Sequence, residues 1–281
     1  MKILIVFLAT AVFAHQTDPV GSGDLTQLRD DFRPEGEGTA NSINTTRTDS
    51  FAGVALGPPP PDTAYYAVIG SLIVPTLKPP TTGPGTWAGQ AWVGIDGWYG
   101  QNSLFQAGIG WALVVAENGT VSPYFQSFTT WQPDSGEPTY FNDTFIINPG
   151  DIITILCETN STHYGKRTIQ DRNSGVEVSL ESQAPGNTSQ FDLKGQYASW
   201  VVQDEEGFPL ADFGQVEWFD CQAAAKPVNG TAGNTTMSTP GDAVQHTTMI
   251  NSSNQTLVSV TASGQNITVT YNDADNGTVL E

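Results

Sequence analysis

Cysteine is almost missing from this chain of 281 residues, which holds only Cys157 and Cys221. Two cysteines exclude a disulfide-dense scaffold and a cysteine-based metal framework. Histidine is nearly as scarce, with His15, His163 and His246, and no metal-ligand spacing joins them. No metal or other cofactor is therefore expected. Positive charge is also in short supply: 10 Lys and Arg stand against 29 Asp and Glu, a formal net charge of -19. That balance argues against nucleic acid and anionic membranes as partners; it suits an acidic medium, where carboxylates are protonated and self-repulsion falls, or else serves only to keep the chain soluble. Beyond the first 14 residues no run is long and apolar enough to span a bilayer, and no segment keeps a 3.6-residue apolar period, so few helices are expected.

What is present begins with a secretory signal. Lys2 supplies the charge, residues 3–13 are apolar apart from Thr10, and Val12-Phe13-Ala14 makes a cleavage site. Residues 1–14 are read as a signal peptide, with a buried N-terminal strand or helix as the alternative, and the mature chain as secreted and extracellular. Sequons for N-glycosylation at Asn44, Asn118, Asn142, Asn160, Asn187, Asn229, Asn234, Asn251, Asn254, Asn266 and Asn276 agree with that route. In an oxidising compartment Cys157 and Cys221 are expected to pair, closing a loop worth about 4 kcal/mol in the chain-entropy model. Two buried thiols are the alternative reading.

Residues 15–49 are polar and charged, and read as a propeptide or a disordered arm. From Ser50 onward the pattern is all-β. Alternation marks strands over 65–74, 91–95, 105–115, 124–131, 176–180, 197–202 and 213–219. Strands at 145–147 and 152–156 are expected to flank Asn148-Pro149-Gly150-Asp151, whose Pro and Gly suit a type II turn. Residues 257–261 and 267–271 alternate around Ser263-Gly264-Gln265-Asn266, a hairpin. One domain over 50–272 is expected, with a flexible connection at 222–241 and a tail at 273–281. The strand pattern alone says β-sandwich or barrel.

Trp92-Val93-Gly94-Ile95-Asp96-Gly97, followed by Leu104-Phe105-Gln106-Ala107-Gly108, resembles the glutamic peptidases, or eqolisins. Ala198-Ser199-Trp200-Val201-Val202-Gln203-Asp204 is similar to that family's A-E-W-I-V-E-D segment, with Ser199 at the place of the catalytic Glu. Ser50-Phe51-Ala52-Gly53-Val54, Ile73-Val74-Pro75 and Leu210-Ala211-Asp212-Phe213-Gly214 resemble the family's N-W-A-G, T-V-P and A-D-F-G segments. The resemblance implies a lectin-like (concanavalin-type) antiparallel β-sandwich, or jelly roll. It also implies hydrolysis of peptide bonds in acid, with an extended peptide or unfolded protein as the partner of a monomer. In such a reaction a carboxylate activates water, a contribution of about 10²–10⁴-fold. A Gln amide stabilises the oxyanion, worth roughly 3–4 kcal/mol in comparable sites. Gln106 matches the Gln of that pair.

Ser199 is not a base, and no Asp or Glu lies between Asp192 and Asp204. Asp204 differs from residue 199 in strand parity, so it is expected to face away. Thr130 stands where the family's W-Y-E-W segment has a Glu. Asp96 reads either as a carboxylate that positions water or as a turn residue capping backbone N–H groups. Trp92 and Trp131 match family positions near the cleft and are expected to bind substrate; the other Trp residues are assigned to the core. Ser199 as a nucleophile needs an activating base, and His163 reads as a solvated loop residue. The rival to a peptidase is a non-catalytic sandwich that binds a peptide in its groove, or a glycan.

Overall fold

A computed structural model describes residues 44–80, 83–98, 101–133, 138–141, 145–187, 189–228, 235–243 and 245–272. The expected signal peptide, residues 15–43, the tail at 273–281 and the sequons at Asn142, Asn229, Asn234 and Asn276 lie outside them. Asn118, Asn160, Asn254 and Asn266 are exposed, whereas Asn251 is half-buried and its side chain bonds Ser253 and Gln255. Asn44 opens a strand and Asn187 ends a short 3₁₀ turn.

Among the described residues, sixteen strands carry the fold. In chain order they are β1 (Asn44–Thr48), β2 (Phe51–Leu56), β3 (Thr63–Ile73), β4 (Gly85–Asp96), β5 (Leu104–Val115) and β6 (Val121–Gln132). The two-residue β7 (Thr139–Tyr140) is followed by β8 (Ile152–Ser161), β9 (Tyr164–Asp171), β10 (Glu177–Gln183) and β11 (Ala198–Gln203). The last part holds β12 (Gln215–Pro227), β13 (Thr236–Ser238), β14 (Gln245–Ile250), β15 (Thr256–Ser263) and β16 (Asn266–Tyr271). Their hydrogen bonds form one path, β10-β9-β8-β3-β12-β16-β15-β14-β2-β11-β4-β5-β6-β7. Pairing along it is antiparallel; β1 joins β14 in parallel and β13 joins β12.

The long sheet doubles back into two layers, because β3, β8 and β9 pack behind β4, β5 and β11. Alternation explains which side chains meet there. Val93, Ile95, Phe105, Ile109, Trp111, Trp200 and Val202 point inward from one layer, and Val68, Leu72, Ile153, Ile155 and Trp218 from the other. Each such side chain contributes about 1.5–3 kcal/mol through burial. Trp200 crosses from β11 to donate its indole N–H to the Ile69 carbonyl of β3 at 2.9 Å, which fixes the two layers against each other.

Several expectations meet the coordinates closely. Asp151 N–H bonds the Asn148 carbonyl at 3.1 Å and Gly150 takes φ 88, as a type II turn requires. The β15–β16 hairpin pairs Ser263 with Asn266 around Gly264-Gln265. Other expectations need correction. Residues 145–147 form no strand: Phe145 and Ile147 are buried, but Ile146 is 74% exposed. The arm expected to reach residue 49 gives way at Asn44 to β1. Residues 222–227, expected in a flexible connection, continue β12 against β3, with Ala223, Ala224 and Ala225 buried.

The disulfide is a further correction. Cys157 and Cys221 are both free and buried. Cys157 lies on β8 and Cys221 on β12, with β3 between them. Two strand spacings separate their backbones by about 9–10 Å, beyond the roughly 7 Å that a disulfide tolerates. Burial pushes the Cys157 thiol up to about 12 and raises that of Cys221 as well.

Candidate active site

The adjacent strands β11, β4, β5 and β6 place four residues in one transverse row: Ser199 opposite Gly94, Gly94 opposite Gln106, and Gln106 opposite Thr130. Residues paired directly across a ladder share a face of the sheet. Gly94 contributes no side chain, so Ser199 and Gln106 face each other over a bare strand, with backbones about 10 Å apart. The gap is enforced: a Cβ at position 94 would lie 3.0 Å from Leu104 Cδ1 and 3.1 Å from the Trp92 ring.

Gln106 is 4% exposed, and its Oε1 has no hydrogen-bond partner among the described residues. The unmatched atom is an acceptor, and the cost of burying it falls when a donor arrives. The Ser199 hydroxyl is fully buried and donates to the Gly94 carbonyl at a long 3.4 Å. Thr130, also buried, ends the row.

One step along the same face the row is Val201, Trp92, Gly108 and Phe128. With Phe51, Ala55, Trp98 and Leu104 these residues make an apolar wall distinct from the inter-layer core. The Trp92 indole N–H donates to Gln203 Oε1 at 2.9 Å, which fixes its ring in the wall. Such a wall lowers the local dielectric and strengthens any hydrogen bond that the Gln106 carboxamide makes.

Asp96 ends β4 on this face with φ 67 and is 1% exposed. Its Oδ1 accepts from Gln101 Nε2 at 2.9 Å, from Gln196 N–H at 2.7 Å and from Tyr197 N–H at 3.4 Å. Its Oδ2 accepts from Lys194 N–H at 2.6 Å and Gly195 N–H at 2.9 Å. Burial raises the carboxyl above its usual value, and the donors from Gly195, Gln196, Lys194 and Gln101 oppose that shift. Asp96 thus clamps the segment that feeds β11 and delivers Ser199 to its row. The turn-capping alternative describes it.

Trp131 is displaced from the expected cleft. It neighbours Thr130 along β6, so alternation sends it to the opposite face. There it packs edge-on to Phe105 at 4.8 Å and donates to the Phe191 carbonyl at 3.3 Å inside the inter-layer core. Its place on the cleft wall is taken by Trp98, Phe128 and Phe51. Gln101, which bonds Asp96 and also accepts from the Trp98 backbone, was equally invisible in the motif. His163, in the β8–β9 turn, is bound to Asp192 at 2.6 Å rather than merely solvated. Among the described residues no three His, Cys, Asp or Glu side chains are grouped to hold a metal ion.

A doubled antiparallel sheet with a glutamine carboxamide at the centre of one face is the framework of a glutamic-peptidase sandwich. Residues 49–271 match the Peptidase A4 family, and the chain belongs to it. It is similar to Aspergillopepsin-2 of Aspergillus niger, with 28% identity over 250 residues, covering 82% of this chain and 81% of that protein. Scytalidopepsin B of Scytalidium lignicola is 27% identical over 158 residues, 52% of this chain and 55% of the relative. Among solved structures, scytalido-glutamic peptidase with a transition state analog inhibitor superposes with a TM-score of 0.61 at 25% identity, covering 80% of this chain and 98% of that one. Aspergilloglutamic peptidase from Aspergillus niger gives a TM-score of 0.50 at 30% identity, covering 66% and 99%.

Proposed function

We propose that this chain is an exported glutamic-peptidase homologue that holds an extended peptide in its groove and hydrolyses it poorly or not at all. The observation that carries the reading is the row Ser199–Gly94–Gln106. It keeps the oxyanion-binding amide and sets a hydroxyl across the gap, where the resembled family has a carboxylate. The peptide ligand is supported by the relatives, one of which was solved with a transition state analog inhibitor and another in a complex with the tripeptide Ala-Ile-His. Asp96 does not supply the missing base, because five donors already occupy its oxygens. Export is supported by residues 1–14 and by the sequons.

In this reading Gln106 donates to the scissile carbonyl, and Ser199 orders water without taking its proton. Losing the general acid–base costs about 10²–10⁴ in rate. The test is cleavage of an unfolded protein between about pH 2 and 5 by the native chain, Ser199→Glu and Gln106→Ala. The full chain is used, since cutting at residue 46 would divide β1. Expected is cleavage by Ser199→Glu alone. Cleavage by the native chain that Gln106→Ala abolishes would overturn the weak-hydrolase reading and reveal another base. If none of the three cleaves, the peptidase groove itself is in error.

A further inference from the structure

Four residues along the strands from the Ser199–Gln106 row, the same strands carry a second polar row. Gln203 of β11 pairs with Gln90 of β4, Gln90 with Gly110 of β5, and Gly110 with Gln126 of β6. The β4–β5–β6 ladders run without a bulge, so this row lies on the cleft face. The two rows are about 13 Å apart at 3.3 Å per residue. Between them lies the apolar row of Val201, Trp92, Gly108 and Phe128.

The amides of the second row are not equivalent. Gln203 is engaged by the Trp92 indole. Gln126 is 6% exposed, and its Nε2 has no hydrogen-bond partner among the described residues. It repeats the arrangement around Gln106: a buried glutamine with one unmatched carboxamide atom, set beside a glycine on the neighbouring strand. A buried N–H donor without an acceptor is costly until a ligand supplies one.

We propose that Gln126 is a second anchor for the bound peptide, donating its side-chain N–H to a neutral acceptor four residues from the bond held at Gln106. The inference rests on the peptide-groove reading above. Side chains on one face of an extended chain recur every 6.6–6.8 Å or so, which matches the spacing of the polar, aromatic and polar rows. The acceptor is neutral because the row itself offers amides, Gln203 and Gln90, and no cation, while buried Phe128 and Ala112 lie beside it; an ionised carboxylate there would lose its hydration without gaining a counter-charge. It is either an Asn or Gln side chain or a backbone carbonyl.

The test exposes the immobilised native chain and Gln126→Met to one decapeptide library at pH 4, sequences the retained peptides and measures the dissociation constant of the best. Losing one neutral hydrogen bond predicts binding weaker by about five- to tenfold in Gln126→Met. If Asn and Gln are enriched at one position by the native chain only, the acceptor is a side chain. If composition is unchanged while every peptide binds more weakly, it is a backbone carbonyl. Gln126→Leu likewise removes the donor without adding a titratable group and must weaken binding to the same degree. Equal affinities and equal compositions for native and variant chains overturn the proposal. No retention by the native chain would instead remove the peptide-groove reading on which it depends.

Discussion

Raising the pH from 4 to 8 is expected to strip several kcal/mol from the fold, and the segment responsible is Asp204-Glu205-Glu206. Burial pushes Asp204 from 3.8 to about 7, and Asp49, Glu205 and Glu206 add to the rise. Burial, followed by repulsion from Glu206, takes Glu205 from 4.5 to about 7. Both folded values lie above the unfolded ones, so the native state holds its protons to higher pH. The stabilising contribution is complete below about pH 4 and is lost as the pH climbs through 7. At 1.36 kcal/mol per pH unit the ceiling is about 4 kcal/mol for Asp204 and about 3 for Glu205. The repulsion between the two is counted in both figures, and each retains some contact with water. About 3 kcal/mol in total is therefore the working value. Urea unfolding followed by tryptophan fluorescence measures it. With a slope near 2–3 kcal/mol/M, the midpoint should fall by about 1 M between pH 4 and 8. In Asp204→Asn/Glu205→Gln it should fall by less than half as much. Parallel falls in the two chains would refute the assignment.

Other consequences are equally direct. Ellman titration of the native chain at pH 8 should find no reactive thiol, and two after denaturation, since Cys157 and Cys221 are free and buried; none after denaturation would mean that they pair. Asp96→Ala leaves the Lys194, Gly195 and Gln196 N–H groups unmet and should cost about 3–5 kcal/mol in urea unfolding. A loss under 1 kcal/mol would deny Asp96 its clamping role. Trp131→Ala should cost a similar 3–5 kcal/mol through lost packing, and Trp131→Phe should leave peptide affinity unchanged. A Trp131→Phe chain that stays stable but no longer binds would return this residue to the groove.

The sequence made some features legible because they depend on local chemistry. Pro149-Gly150 fixes its turn by φ alone, and alternation over 257–261 and 267–271 needs only a buried face. Gln106 stands out because the motif around it is distinctive. What eluded the reading depends on register, which no single strand carries. Gly94 acquires meaning only when β4 is seen between Ser199 and Gln106. The core position of Trp131 is already implied by the sequence, because Thr130 and Trp131 are consecutive in a strand and cannot share a face. Residues 222–227 lack β-branched side chains and read as a linker, yet small alanines suit a strand packed closely against β3. The cysteine pair was a judgement from compartment and composition, and the intervening β3 defeats it.

Two separate sheets would present four free edges, whereas among the described residues the path through both layers has two ends, with the short β1 and β13 attached to it as side branches. One end is β7, only two residues long. The other is β10, with Glu177 and Glu181 exposed along its length. Short strands and edge charges are the means by which β-proteins discourage a second copy from adding to the ladder. The path that brings Ser199 and Gln106 together therefore also governs how the molecule behaves in a crowd of its own kind: where a sandwich is most open to strand-by-strand aggregation, this one offers a stub and a negatively charged rail.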